Sequence, residues 1–265
     1  MKTVIIIPAR YASQRYPGKP LVELRDKSGQ SKSLIRRSWD AAMAVPGIDA
    51  VYVATDDDRI REAAEGFGAE VIMTSSDCRN GTERCADALV VGKIEADLVI
   101  NLQGDSPLTP AWFVEDLVKA MGERPDMEMA TPVLRCDAQT YAHFVADRKA
   151  GRVGGTTAVF GTGMRAIYFS KEVIPYIDPD KADRAYGEVF HHVGLYAYRP
   201  DALARYVTWA PGRLEGHEGL EQLRFLENGV PVLCVEVEGK GRVFWELNNP
   251  EDVARIESIL MAEGE

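Results

Sequence analysis

Short apolar runs rich in β-branched residues recur along the first part of the chain, at Val4–Ile7, Ala50–Thr55, Glu70–Thr74 and Asp97–Leu102. Stretches with a helical period separate them. Ser31–Ala44 carries Leu34, Ile35, Ala42 and Met43 and is closed by Pro46-Gly47, and Arg59–Phe67 is stopped by Gly68. A strand buried on both faces reads as an unbroken apolar run, and βα alternation at this spacing requires parallel pairing with right-handed crossovers. The prediction is therefore an α/β fold, a mostly parallel central sheet flanked by helices, with ligands at the carboxyl ends of the strands.

At 265 residues and 46% hydrophobic, the chain can bury one large core, and a single domain over 1–265 is expected. Further strands are predicted at Met127–Leu134, His191–Tyr198 and Val232–Val237. Helices are predicted from Pro200, over Leu214–Leu226 and over Pro250–Met261, the last begun by Asn248 or Asn249, while polar Asp137–Ala150 reads as a helix or an excursion. Gly161–Ala166 matches G-x-G-x-x-A, but a strand-like AIYFS follows where a helix is required, so a hairpin turn is expected and not a dinucleotide site. Ile174–Glu188, with prolines at 175 and 179, reads as a mobile loop. A formal net charge of −10 disfavours a nucleic-acid binder. Cys78, Cys85, Cys136 and Cys234 lack metal-site spacing and disulfide density, which implies reduced thiols in a cytoplasmic protein. Residues 3–7 are too short for a secretory signal, and no run approaches a membrane span.

Past the first strand, Pro8 and Ala9 lead into a loop holding Arg10, Ser13, Arg15, Gly18 and Lys19, with no acidic residue before Glu23. Arg offers a planar fork for two phosphate oxygens, Lys a mobile point charge, and Gly18 close backbone approach, so the loop suits a phosphate ligand. A basic surface loop fits the same charges. A Walker loop is absent. Asp56-Asp57-Asp58 either caps a helix or meets a metal, and capping explains it more simply, since three consecutive acids do not share a face. Asn80–Arg84 opens a helix with Thr82 as its expected cap, which leaves Arg84 unexplained. Asp105 follows a buried strand on a Gln103-Gly104 turn, where a carboxylate suits Mg²⁺ or simply caps the loop. His191 and His192 face opposite ways in a strand and do not chelate one ion; one of them is expected to line the pocket.

The loop IPARYAS-x-R-x-PGKPL resembles the nucleotide-binding signature of the sugar cytidylyltransferases, most closely the 3-deoxy-manno-octulosonate cytidylyltransferases. Similarity continues in the family's order through YVATDD, NGTER, NLQGDSP, AIYFSK, HHVGLYAYR and LEQLRFL, over nearly the whole chain. The resemblance implies a Rossmann-like fold of the nucleotide-diphospho-sugar transferase type, with about 165–230 carrying the sugar-binding and dimerisation part. It implies transfer of CMP from CTP to 3-deoxy-manno-octulosonate or a close analogue, with Mg²⁺, for bacterial lipopolysaccharide or capsule, in a cytoplasmic homodimer. Arg10, Arg15, Lys19 and Asp105 would be catalytic. Pro8, Ala9, Arg10, Ser13, Arg15, Lys19 and Gln103 would hold the nucleotide, with Ser13 reading cytosine. Arg84, Gln103, His192, Tyr196, Glu221 and Gln222 would hold the sugar, Arg84 through its carboxylate. Asp105 and Asn248 would hold the metal. Another ulosonic acid as substrate, or nucleotide binding without turnover, stays open.

Two departures from the family stand out. The lysine of its V-K-V-V strand is missing from Thr156–Val159. Its V-D-T-P-E-D segment reads Leu247-Asn248-Asn249-Pro250-Glu251-Asp252 here, so an amide replaces the expected metal-binding carboxylate. Weaker Mg²⁺ binding without CTP is expected. Glu246 carries the nearest acidic side chain before Asn248, two positions off.

Overall fold

The structure is a computed structural model that describes residues 1–12, 16–153, 155–178, 180, 185–242 and 244–263. All of β1 (Thr3–Ala9) is buried. Ile5 and Ile7 pack with Ile100, Leu102 and Phe113 on one face, and Val4 and Ile6 with Val99, Tyr196 and Tyr198 on the other. Each such fully buried side chain contributes about 1.5–3 kcal/mol. The unbroken apolar run at the start of the sequence is thus a strand between two layers.

After β1 come a small hairpin, β2 (Glu23–Arg25) and β3 (Ser31–Ser33), and then α1 (Leu34–Met43), β4 (Ala50–Thr55), α2 (Asp58–Gly66), β5 (Glu70–Met73), α3 (Gly81–Val91), β6 (Leu98–Leu102) and α4 (Ala111–Glu123). Next are β7 (Met129–Arg135), α5 (Ala138–Lys149), β8 (Thr156–Phe160), β9 (Ala166–Ser170), β10 (Phe190–His192), β11 (Leu195–Tyr198) and β12 (Val232–Val237). Among the described residues the main sheet has ten strands in the order β5-β4-β1-β6-β11-β7-β10-β8-β9, with β12 on β7. β1, β4, β5, β6, β7, β8 and β12 run one way and β9, β10 and β11 the other. The mostly parallel sheet predicted from the alternation is the one observed. Among the described residues no helix is long and apolar enough to cross a membrane.

Four local expectations are corrected. The run His191–Tyr198 is not one strand: it splays at Val193-Gly194, β10 turning to β8 while β11 turns to β6, both still alongside β7. Leu214–Leu226 is not one helix. Gly219, at φ 64°, ends Arg213–Glu218, and Leu223–Glu227 starts afresh, so Glu221 and Gln222 sit in the break. Helix α3 is capped by Asn80, whose Oδ1 accepts from the Glu83 amide, because the Thr82 hydroxyl is taken by the Tyr198 hydroxyl at 2.8 Å. The last helix, Asp252–Glu263, is entered by the reverse of the expected cap: the Asp252 carboxylate accepts from the amides of Asn248 and Asn249. Asp57 does cap α2, accepting from the Arg59 amide. Gly161 to Arg165 turns the chain between antiparallel β8 and β9. Of the Ile174–Glu188 loop, residues 179 and 181–184 lie outside the described residues.

Candidate active site

A cavity of about 740 Å³ opens at the carboxyl ends of β1 and β6. Pro8, Ala9, Arg10 and Lys19 line one side, Gln103, Gly104 and Asp105 the floor, and Arg79 to Gly81, Arg84, Tyr196, Glu221 and Gln222 the other side. Ser13 and Arg15 lie outside the described residues. A smaller cavity of about 430 Å³ lies by Lys2, Glu70 and Gly92, beside the amino ends of β1 and β5.

Close backbone approach builds the floor. A Cβ on Gly104 would meet the Pro8 carbonyl at 2.8 Å, so only glycine lets the turn after β6 lie against the end of β1. Ser38 on α1 donates to the Gly104 carbonyl, and the Leu247 amide donates to the Asp105 carbonyl at 2.9 Å. On the basic side, Gly18 at φ 72° folds the chain back to bond Tyr11, and Pro20 starts a short turn that aims Lys19 inward. Lys19 Nζ meets Asp105 Oδ2 at 2.6 Å.

Beyond Asp105 lies Glu246. Its carboxylate accepts from the Gly194 amide and the Asn248 side chain, and burial together with the Asp105 charge pushes its carboxyl up to about 7. The Lys19 charge and the two donors act against that rise.

The far wall is a polar network. Glu221 Oε2 accepts from the Thr82 amide at the start of α3, and its Oε1 accepts from Gln103 Nε2. Burial raises the Glu221 carboxyl above the usual range. Tyr196 donates to Gln222 Oε1 at 3.2 Å. Arg84 is buried, donating to the Thr74 hydroxyl at 2.6 Å and ion-paired with Asp56 at 3.4 Å, so its guanidinium is anchored from behind. Arg79, which nothing in the motif spacing singles out, joins this wall and pairs with Glu83 at 2.7 Å. Its position directly before NGTER, on the approach to α3, was the available signal.

The two histidines do face opposite ways, but neither lines the cavity. His191 packs against Phe144 and Phe244. His192 stands behind Tyr196, ring centroids 5.7 Å apart, with its nitrogens 3.0 Å from the hydroxyls of Thr131 and Thr156. Burial pushes it down to about 3, so the ring is neutral. The placement of His192 as a sugar contact is corrected to support of Tyr196, with Thr156 standing where the family's lysine strand was expected. The thiols of Cys136 and Cys234 are pushed up to about 12 by burial, which removes them as nucleophiles. Among the described residues no group of three or more His, Cys, Asp or Glu is placed to hold a metal ion by itself.

Residues 4–237 match the family described as Cytidylyltransferase. The chain is 46% identical to the 3-deoxy-manno-octulosonate cytidylyltransferase of Maricaulis maris, covering 100% of this chain and 99% of that one. It is 38% identical to the enzyme of the same description from Escherichia coli, over 91% and 89%. Among solved structures, a CMP:2-keto-3-deoxy-manno-octonic acid synthetase complexed with CTP superposes with a TM-score of 0.84 at 34% identity, both chains covered in full. A 4-diphosphocytidyl-2C-methyl-D-erythritol synthase from Anaerococcus prevotii shares the fold at a TM-score of 0.60 and 13% identity, over 98% and 96%.

Proposed function

The chain belongs to the cytidylyltransferase family, among its 3-deoxy-manno-octulosonate cytidylyltransferases, and from that membership we propose that it transfers CMP from CTP to the anomeric hydroxyl of 3-deoxy-manno-octulosonate. The observation that carries the reading is the two-sided cavity, with Arg10 and Lys19 on one wall and Arg84, Tyr196, Glu221 and Gln222 on the other. One wall suits a triphosphate and the other an acidic polyol. The anomeric oxygen bonds to the α-phosphorus, the bond from that phosphorus to the bridging oxygen breaks, pyrophosphate leaves, and the hydroxyl proton is released. Little covalent chemistry is asked of the protein, whose part is alignment and charge neutralisation.

In this reading Pro8, Ala9, Arg10, Ser13, Arg15, Lys19 and Gln103 hold the nucleotide. Arg84 takes the sugar carboxylate bidentately, while Gln103, Tyr196, Glu221 and Gln222 meet its hydroxyls. Mg²⁺, when bound, neutralises charge on the triphosphate and on the departing pyrophosphate. The donors suit a hard cation: Asp105 and the Asn248 carbonyl oxygen would hold it, and Lys19 already rests on Asp105 as a cationic stand-in at 2.6 Å. A cytoplasmic homodimer joined through about 165–230 belongs to the same proposal. Ile167, 66% exposed on β9 at the end of the sheet, supports it.

The test is pyrophosphate release with CTP, Mg²⁺ and a panel of ulosonic acids. Turnover of the octulosonate, with far less of nonulosonates, is expected. Preference for a nonulosonate would move the substrate assignment, and silence in every lane with retained CTP binding would sink the enzyme reading.

A further inference from the structure

We propose that Glu246, and not Asn248, is the second anionic ligand of a divalent cation whose first ligand is Asp105. The inference rests on the CTP reading above. It starts from charge. With an amide at 248, Asp105 alone would face the cation at this end of the cavity unless another carboxylate reaches it.

Glu246 reaches it by construction of the fold. The segment after the strand β12 passes along the Asp105 turn, clipped there by the Leu247 amide on the Asp105 carbonyl at 2.9 Å. Leu247 is buried among Leu24, Leu34 and Ile256. That anchor holds the segment beside the Asp105 turn, with the Glu246 carboxylate at Gly194 and Gln103.

The carboxylate then needs room, and Gly194 supplies it. A Cβ at 194 would lie 2.7 Å from Glu246 Oε1 and 3.9 Å from Gln103 Cγ. Gly194 is at the splay between β10 and β11, so the cradle is a product of the strand's division and not of a flexible surface turn. The Gly194 amide and the Asn248 side chain both donate to the carboxylate. Asn248, the neutral oxygen donor of the reading above, therefore also positions the Glu246 carboxylate through its amide. Asp105, paired with Lys19, and Glu246, which feels both charges, leave a surplus negative charge in a partly buried place, and a divalent cation balances it. Lys19 is then free to turn to phosphate oxygens.

The probe is Mn²⁺, titrated by electron paramagnetic resonance into the chain with CTP present and again without it. Glu246→Gln is expected to weaken Mn²⁺ binding in the presence of CTP on the order of 10- to 100-fold or more, the scale on which even outer-shell partners act. Gly194→Ala, whose methyl would stand 2.7 Å from Oε1 and push the carboxylate aside, is expected to weaken it similarly while keeping the glutamate itself, and serves should the first variant fold poorly. Asn248→Ala is expected to lose less than either. The proposal is overturned if Glu246→Gln binds Mn²⁺ within about twofold of wild type, or if Asn248→Ala loses more than Glu246→Gln. Calorimetry of CTP alone in chelator separates the two levels: a wild type that binds no CTP refutes the nucleotide reading, whereas CTP binding with unchanged Mn²⁺ affinity in Glu246→Gln refutes only the ligand assignment.

Discussion

Arg224→Met tests whether the sugar wall is held together by a buried charge clamp. The Arg224 guanidinium is 1% exposed and donates to Glu215 at 2.7 and 2.5 Å and to Glu83 at 3.0 Å, lying 4.1 Å over the ring of Tyr206. Methionine keeps the stem's packing and removes the charge. Glu83 retains Arg79, but among the described residues Glu215 is left with the Gly212 amide as its remaining partner. Breaking a buried pair by deleting one partner typically costs about 3–5 kcal/mol, because the other charge stays buried without compensation. For a chain of this size that corresponds to a melting shift on the order of 10 °C.

The assay is urea unfolding of wild type, Arg224→Met, Glu215→Gln and the double variant. Neutralising Glu215 removes the stranded charge, so the double variant is expected to recover much of the loss, giving a coupling well outside additivity. A single-variant loss below about 1 kcal/mol, or strict additivity in the cycle, would refute the clamp. Function should follow the geometry. Glu83 precedes Arg84 on α3, and Glu215 belongs to the helix that leads into Glu221, so loosening the clamp should raise the KM for the sugar more than that for CTP.

Three further outcomes are expected. Lys19→Ala should lose about 2–4 kcal/mol of transition-state stabilisation with folding little changed, as for a preorganised donor; normal turnover would return the opening loop to an ordinary basic surface. Arg84→Ala should raise the sugar's KM while CTP affinity stays near wild type, and the opposite pattern in titration calorimetry would reverse the assignment of the two walls. Burial holds His192 at about 3 in the folded chain against the ordinary 6.5 of an unfolded one, so its contribution to stability is complete above about pH 6.5 and declines as pH falls toward 3. Urea midpoints should therefore show about 2 kcal/mol lost to this residue between pH 7 and pH 5, absent in His192→Asn, and a wild-type profile no steeper than the variant's would contradict it.

The sequence announces what depends on local pattern. Val4–Ile7 and Asp97–Leu102 read as two-sided strands because their apolar runs do not alternate, and Asp105 stands out as a carboxylate on a glycine turn at such a strand's end. What it hides depends on partners far along the chain. Arg224 falls within the helical period of Leu214–Leu226, which gives no sign of its partners, yet Glu83 and Glu215 close over it. Alternation shows that His191 and His192 diverge, but whether His192 meets a cavity or the hydroxyls of Thr131 and Thr156 depends on β7 and β8. Gly219 looks like a tolerated glycine inside a helix until its left-handed backbone ends that helix and sets Glu221 and Gln222 in the cavity wall.

The division of labour between the two walls follows from the sheet itself. Arg10, Lys19 and Asp105 are placed by β1 and β6, a parallel pair whose register runs Thr3 to Leu98 through Ile6 to Asn101. Tyr196 is placed by β11, which is antiparallel to β6 with Tyr196 opposite Asn101, two residues before Gln103. The one register thus sets Gln103 between the wall that carries Arg10 and Lys19 and the wall that carries Tyr196. β11 reaches β6 only because the chain splays at Val193-Gly194, the same point that gives Glu246 its cradle. A bulky residue at 194 would act on the charge beside Asp105 and on the strand that carries Tyr196 together, whereas changes at Arg10 or Lys19 would leave the sugar wall standing.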